Sequence, residues 1–315
     1  MKIAFIILAH KNPEQLGRLI GRLNSKDSAF YLHIDKKARM SEFTNELSKL
    51  NISANITMLP RVNSYWGGAG IIRATLHGLE KVLLDSKCNR IVLLSGQDYP
   101  IKPLKYIYDF FEINEEKNFI PYFKLPDDIW PDGLNRINNY YFRLLGKTYI
   151  SPPVSDPIHV LSKLFYKIAQ IRFRKPRVFP EGLQPYGGFQ FWKITSIAAK
   201  EIMEFIYKRP DYLKFHKYTH CVDELFFQTI LLNSKNELLQ NSFINDDLTY
   251  IDWRQNKSNP EILGVSDYEE LKMSKDLFAR KFDVRIDSEI LDMIDLQILQ
   301  VESMLSLPST TLSQR

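Results

Sequence analysis

Cysteine is scarce in this chain. Only Cys88 and Cys221 occur among 315 residues, far apart and in no CxxC or Cys–His pattern. That argues against a disulfide framework and against a zinc site of the usual ligand spacing. Long apolar runs are missing too. No stretch reaches the roughly 18 consecutive apolar residues that a membrane helix needs. The first run, Ile3 to Ala9, ends in His10-Lys11 and has no small-residue cleavage site. The expectation is a soluble, cytoplasmic protein that uses this run as a buried first strand. Glycine is missing where a dinucleotide needs it: the turn Ala9-His10-Lys11-Asn12-Pro13 has none, which weighs against NAD or FAD. No GxxxxGKS/T pattern occurs, so a P-loop is excluded. The positive charges are not interleaved with stacking aromatics, which speaks against nucleic acid as a partner.

Core material is plentiful. Hydrophobic residues make up 44% of the chain and aromatics 13%, enough for one large domain or two intimate ones. The formal charge of +5 suits an anionic ligand or membrane surface without demanding either. The first third alternates strand and helix. Ile3–Ala9 reads as a buried strand, Asn12-Pro13 as a helix cap with proline at the first helical position, and Leu16, Leu19, Ile20 and Leu23 as the packed stripe. Phe30–Ile34 is a second strand, Met40–Leu50 a polar helix, and Ile56–Leu59 a short strand. A long helix follows from Gly70 to Leu84, and then a buried strand from Arg90 to Leu94. This order predicts an α/β fold with a mostly parallel, doubly wound sheet and flanking helices, ligands meeting the C-terminal strand ends. His10, Lys11, Asp35, Asn63, Trp66 and Asp98 all fall at or just after such ends. Singly, each has an ordinary structural explanation; their grouping suggests a nucleotide pocket.

The chemistry is expected further on, at Cys221-Val222-Asp223-Glu224-Leu225-Phe226-Phe227. The spacing predicts a helix over Val222–Leu232, with Phe226, Phe227, Ile230 and Leu231 on one apolar face. Glu224 then projects from the first turn toward the buried side. Partial desolvation raises its pKa while the helix N-terminus keeps it ionised, suitable conditions for a general base. The alternative is that Asp223 and Glu224 only favour a helix start.

Several stretches together resemble one family. They are His10-Lys11, His33 to Lys37, Trp66-Gly67-Gly68-Ala69, Ser95-Gly96-Gln97-Asp98-Tyr99-Pro100, Gly187 to Phe191, Asp223-Glu224 and Phe278 to Asp283. In that order they resemble the core-2/I-branching β-1,6-N-acetylglucosaminyltransferases and peptide O-xylosyltransferases, across about residues 3–300. The Trp66 and Ser95 motifs lean toward the xylosyltransferase branch. The resemblance implies a single GT-A-like glycosyltransferase domain over 1–305, with a nucleotide-binding half (1–115), an acceptor and catalytic half (116–305) and a flexible tail (306–315). It implies inverting transfer from a UDP-sugar, with neither metal nor other cofactor bound, to a saccharide or glycoconjugate acceptor. Glu224 matches the catalytic base. His10, Asp35 and Asn63 match uridine contacts, and Lys11 is grouped with them. Arg280 and Lys281 match the groups that neutralise the departing diphosphate. Trp66 is expected to buttress the donor wall. Trp253, Tyr140 and Tyr141 are candidates for stacking on the acceptor, with a core role as the alternative, and Asp223 is placed on the acceptor side.

The chain also departs from that family. Its two cysteines contrast with the many of the family's secretory members, and neither their anchor nor their stem is expected in it. A second diphosphate arginine has no clear counterpart; Arg254 or Lys257 are substitutes by position. From Phe123 to Pro180 the match is poor, and there a basic amphipathic stretch, 161–177, carries six cations and no acid. It suggests peripheral contact with an anionic membrane and a lipid-linked acceptor; an ordinary surface helix is the alternative. Two other classes stay open: a different UDP-sugar enzyme, and a saccharide-binding module that kept the fold.

Overall fold

The computed structural model describes residues 1–50, 55–85, 87–128, 130–131, 133–144, 147–151, 177–254 and 260–300. The chain opens as β1 (Ile3–Ala9), α1 (Pro13–Leu23), β2 (Ser28–Ile34), α2 (Met40–Ser48), β3 (Ile56–Met58), α3 (Gly70–Asp85) and β4 (Arg90–Ser95). β1 pairs in parallel with β2 and β4, and β2 in parallel with β3. The strand order β3-β2-β1-β4 reverses direction of growth between β1 and β4, so a crevice opens at their C-terminal ends.

Alternation along β1 explains why it is the centre. Ile3, Phe5 and Ile7 face a layer built with α1 and α2, and Ala4, Ile6 and Leu8 face a layer built with α3. A strand buried on both faces must be apolar throughout, which is what Ile3–Ala9 provides.

The later elements widen this sheet and add a second. After β5 (Asp98–Pro100), α4 (Leu104–Ile113), β6 (Asn118–Phe119) and β7 (Phe123–Lys124) come α5 (Asn135–Asn138) and the hairpin β8 (Tyr140–Leu144) and β9 (Lys147–Ser151). Then come β10 (Tyr186–Gly187), β11 (Lys193–Thr195), β12 (Phe243–Ile244), β13 (Thr249–Ile251) and β14 (Phe278–Arg280). Among the described residues seven strands form the main sheet, in the order β12-β6-β11-β4-β1-β2-β3, with β11 antiparallel to both neighbours. A smaller sheet, β13-β14-β5, sets Arg280 opposite Asp98. Buried Lys193 joins the two sheets by donating to the Asp247 carbonyl and to Thr249 Oγ1.

Three local expectations are corrected. Asn12 precedes α1 but caps nothing with its side chain; it sits in the left-handed region (φ 52°) and its amide donates to Asp283 instead. The predicted helix over Val222–Leu232 is broken: Val222–Glu224 is a 3-10 turn, and the α-helix starts at Phe226. The reason is a competing donor. The Gly188 N–H takes the Glu224 carbonyl at 2.9 Å, an acceptor that the Gln228 N–H would use in a continuous helix. One helical hydrogen bond is worth about 1 kcal/mol net. Burying Val222, Leu225 and Phe226 contributes about 1.5–3 kcal/mol each, so packing decides. Finally, Arg177, counted among the basic-stretch cations, is buried and donates to the carbonyls of Asn139, Phe215 and Tyr218. The rest of that stretch, 161–176, lies outside the described residues, as does Lys257. Among the described residues no helix is long and apolar enough to cross a membrane.

Candidate active site

At the end of β2 the Asp35 carboxylate is buried and satisfied by backbone. It accepts from the Lys37 N–H at 2.8 Å and from the Ser64 N–H at 2.7 Å. Its own N–H donates to the Ala9 carbonyl at 2.8 Å, so this residue ties β1, β2 and the 61–65 loop together. His10 and Asn63 lie on the exposed lip beside it. Desolvation first, and the Lys11 charge second, lower the His10 pKa, with Asp35 opposing; the ring is biased toward its neutral form. Lys11 is already engaged: its ammonium is 2.7 Å from Asp283 Oδ2. Burial alone would raise the Asp283 pKa, but donors from Arg285, Lys11 and Asn12 hold it far below the usual carboxylate range.

The next edge is built by β5 and β14. Asp98 Oδ1 accepts from Arg280 Nε at 2.9 Å, and Oδ2 from the Ser95 N–H at 2.5 Å. The Arg280 guanidinium lies 4.2 Å from the Phe191 ring centre. Its Nε is thus held by Asp98, and among the described residues its terminal nitrogens have no hydrogen-bond partner. Lys281 follows across a cis peptide bond. Among the described residues its ammonium has no hydrogen-bond or ion-pair partner. Burial first, then the Arg280 and Lys11 charges, lower its pKa, with Asp98 and Asp283 opposing. A cation crowded by cations and short of an acceptor is suited to an incoming anion.

The third edge is the turn at 220–224. Cys221 is left-handed (φ 45°), and its N–H donates to the Gly67 carbonyl at 2.9 Å. Gly67 (φ +70°) lies so close to His220 that a Cβ would meet its ring at 2.5 Å, which accounts for glycine after Trp66. At Gly188 a Cβ would come within 2.0 Å of the Pro121 carbonyl oxygen. Both glycine motifs therefore act by docking their loops on the turn that carries Glu224.

Glu224 Oε2 is ion-paired with Arg136 Nη1, from α5, 88 residues away in sequence. Burial raises the Glu224 pKa, and the Arg136 charge and hydrogen bond oppose this. Asp223 is pushed up to about 7, by burial first and the Glu224 charge second, with Arg136 and Arg280 opposing. The expected desolvation of Glu224 is thus present. Its counter-charge is a side chain, where a helix N-terminus was expected.

Aromatic faces flank this turn. Phe189 and Trp253 stack at 6.5 Å, each with more than a third of its surface open. Trp66 is 66% exposed and touches His220 by an edge. Tyr141 stacks on His220 at 5.0 Å. Tyr140 packs against Tyr218 and the Arg177 guanidinium. Arg254 is held by Asp252 and Asp267, so it is not a free diphosphate arginine.

The profile of the core-2/I-branching enzymes matches residues 3–275. The chain belongs to that family. Among its relatives, xylosyltransferase 2 of Rattus norvegicus is 23% identical over 95% of this chain and 34% of its own length. Xylosyltransferase 1 of Homo sapiens is 22% identical over 94% of this chain and 30% of its own. The chain spans about a third of the length of the curated relatives it matches. Among solved structures, the galactosyltransferase LgtC with donor and acceptor sugar analogues aligns over 96% of this chain and 98% of that one. Identity there is 9% and the TM-score 0.39.

Sequence reasoning missed Arg136. It stands in a segment with poor family resemblance, and nothing in its spacing points to a carboxylate 88 residues away. Phe191 as the platform for Arg280 was equally silent, whereas Asp98 was flagged by its place after β4.

Proposed function

We propose that this family member transfers a sugar, xylose or N-acetylglucosamine, from a UDP-sugar to a hydroxyl of a saccharide or glycoconjugate acceptor. Transfer proceeds with inversion and without a bound metal, on a GT-A-like scaffold. Glu224 takes the acceptor proton as that oxygen attacks the anomeric carbon, and the bond from that carbon to the diphosphate breaks. UDP leaves with the negative charge, which Lys281 and the free side of Arg280 stabilise. One displacement by one base inverts the configuration, as in an inverting glycosidase with the acceptor hydroxyl in the place of water. His10, Asp35 and Asn63 form the uridine end, and Phe189 and Trp253 supply an aromatic floor for acceptor sugar C–H faces.

One observation carries this reading. Lys281, whose ammonium has no partner among the described residues, follows Arg280, and the Arg280 charge reaches Asp223, the neighbour of the half-buried Glu224. The test is calorimetric titration with UDP in EDTA and then with Mn²⁺. Micromolar binding in EDTA that weakens in Lys281→Ala supports the proposal. Binding that needs Mn²⁺ overturns the metal-free mechanism, and no binding in either condition favours the saccharide-binding module.

A further inference from the structure

We propose that Arg136 is a positioning residue for the base: it fixes one oxygen of Glu224 so that the other is presented to the acceptor hydroxyl. This rests on the reading of Glu224 as that base. The Arg136 guanidinium lies over the Trp130 ring, 3.6 Å from its centre, and Nη1 donates to Glu224 Oε2. Among the described residues Glu224 Oε1 has no partner. Trp130 is itself held. Its N–H donates to the Asp127 carbonyl at 3.2 Å, its carbonyl accepts from the Gly133 N–H at 2.9 Å, and its ring meets Phe123 edge-on at 5.7 Å. A planar cation clamped on a fixed indole gives the carboxylate a set direction, which a flexible lysine would not.

The pair stands at the wall of the site. The Glu224 side chain keeps 32% of its surface and Arg136 20%, so solvent or an acceptor can reach the carboxylate beside its partner. The other charged and titratable groups around it are few. Asp223 and Cys221 lie on the same turn, His220 precedes them and feels the Arg136 charge, and Arg280 faces Asp223 from β14. Among the described residues Arg136 is the cation that opposes the upward shift of Glu224, so without it the protonated form would gain. The cation therefore keeps Glu224 ionised as well as aimed. It also ties the base to the 130–141 segment, whose Tyr141 ring stacks on His220. Acceptor-side packing and base geometry are thus coupled.

The experiment uses the full chain labelled with ¹³C at glutamate carboxyls, the Glu224 signal being assigned through Glu224→Gln. Its titration is followed in the wild type, Arg136→Gln and Arg136→Lys. In parallel, UDP release from UDP-xylose and UDP-N-acetylglucosamine is recorded against pH. In Arg136→Gln the Glu224 midpoint rises by about one pH unit or more, the scale of one close opposite charge. The acid limb of the rate profile moves up with it, so UDP release below that limb falls about tenfold, while UDP affinity by calorimetry is kept. Arg136→Lys holds the midpoint near native and lowers kcat with little change in donor KM, because charge remains and direction is lost. An unmoved midpoint in Arg136→Gln, or native kcat in Arg136→Lys, overturns the inference. If Arg136→Gln does not fold, the lysine variant decides alone. Native turnover in Glu224→Gln is a different failure: it removes the base and leaves the measured Arg136–Glu224 coupling as an ion pair without that role.

Discussion

Asp35 and Glu224 are both carboxylates on the walls of the same candidate site, and they are held in opposite ways. Asp35 is gripped by backbone: two N–H groups within 2.8 Å, supplied by loops that follow adjacent parallel strands. Glu224 is gripped by one side chain from a distant segment, on a turn whose own carbonyl is taken by Gly188. The first arrangement is fixed by the sheet and holds β1, β2 and the 61–65 loop together. The second depends on side chains meeting across loops, and leaves one carboxylate oxygen available for chemistry. The comparison teaches where rigidity and reactivity reside: backbone donors lock Asp35 into structure, and a side-chain cation from a distant segment tunes Glu224.

The sharpest way to break this contrast is to neutralise each acid. Glu224→Gln is expected to lower turnover roughly a hundredfold or more, as for loss of a general base, with UDP binding retained. Near-native UDP release from the donor sugars would remove Glu224 from the mechanism. Asp35→Ala strands two backbone donors, and the expected loss is about 1–3 kcal/mol for each buried unsatisfied group. Urea unfolding should show it; an unchanged midpoint would mean that Asp35 is not the clasp between β1, β2 and the 61–65 loop. Lys281→Ala is expected to weaken UDP by about tenfold, within the range of one charge-assisted hydrogen bond. It should leave stability unchanged, because no described partner is lost. A fall in stability without loss of UDP affinity would reverse that assignment.

Stability should also depend on pH. Asp223 is raised in the folded state to about 7, so its protonated form is favoured there. For an acid shifted upward, the stability contribution is full below the unfolded pKa of about 4 and is lost as pH rises toward 7. Asp223→Asn should flatten the decline in stability between those limits. A profile identical to the wild type would place the Asp223 carboxyl near its ordinary value.

Legibility followed the same divide. The parallel strands were readable because burial on both faces forces continuous apolar runs such as Ile3–Ala9, and the site residues at their ends came with them. The family motifs carried the reading as far as Glu224, Arg280 and Lys281. What stayed hidden were contacts with no local signature. The Gly188–Glu224 hydrogen bond that breaks the predicted helix is one; periodicity over 222–232 cannot register a donor 36 residues upstream. Arg136 on Glu224 is another, and the diversion of the Asn12 amide from α1 to Asp283 is a third. Each is a choice between local and tertiary partners, decided by packing that one segment's pattern does not contain.

The most direct test of the account is UDP release from UDP-xylose and UDP-N-acetylglucosamine in EDTA, measured for the wild type and Glu224→Gln side by side. The account predicts release by the wild type from at least one donor and a fall of roughly a hundredfold or more in the variant. Equal rates in the two proteins, or release only after a divalent metal is restored, would contradict it.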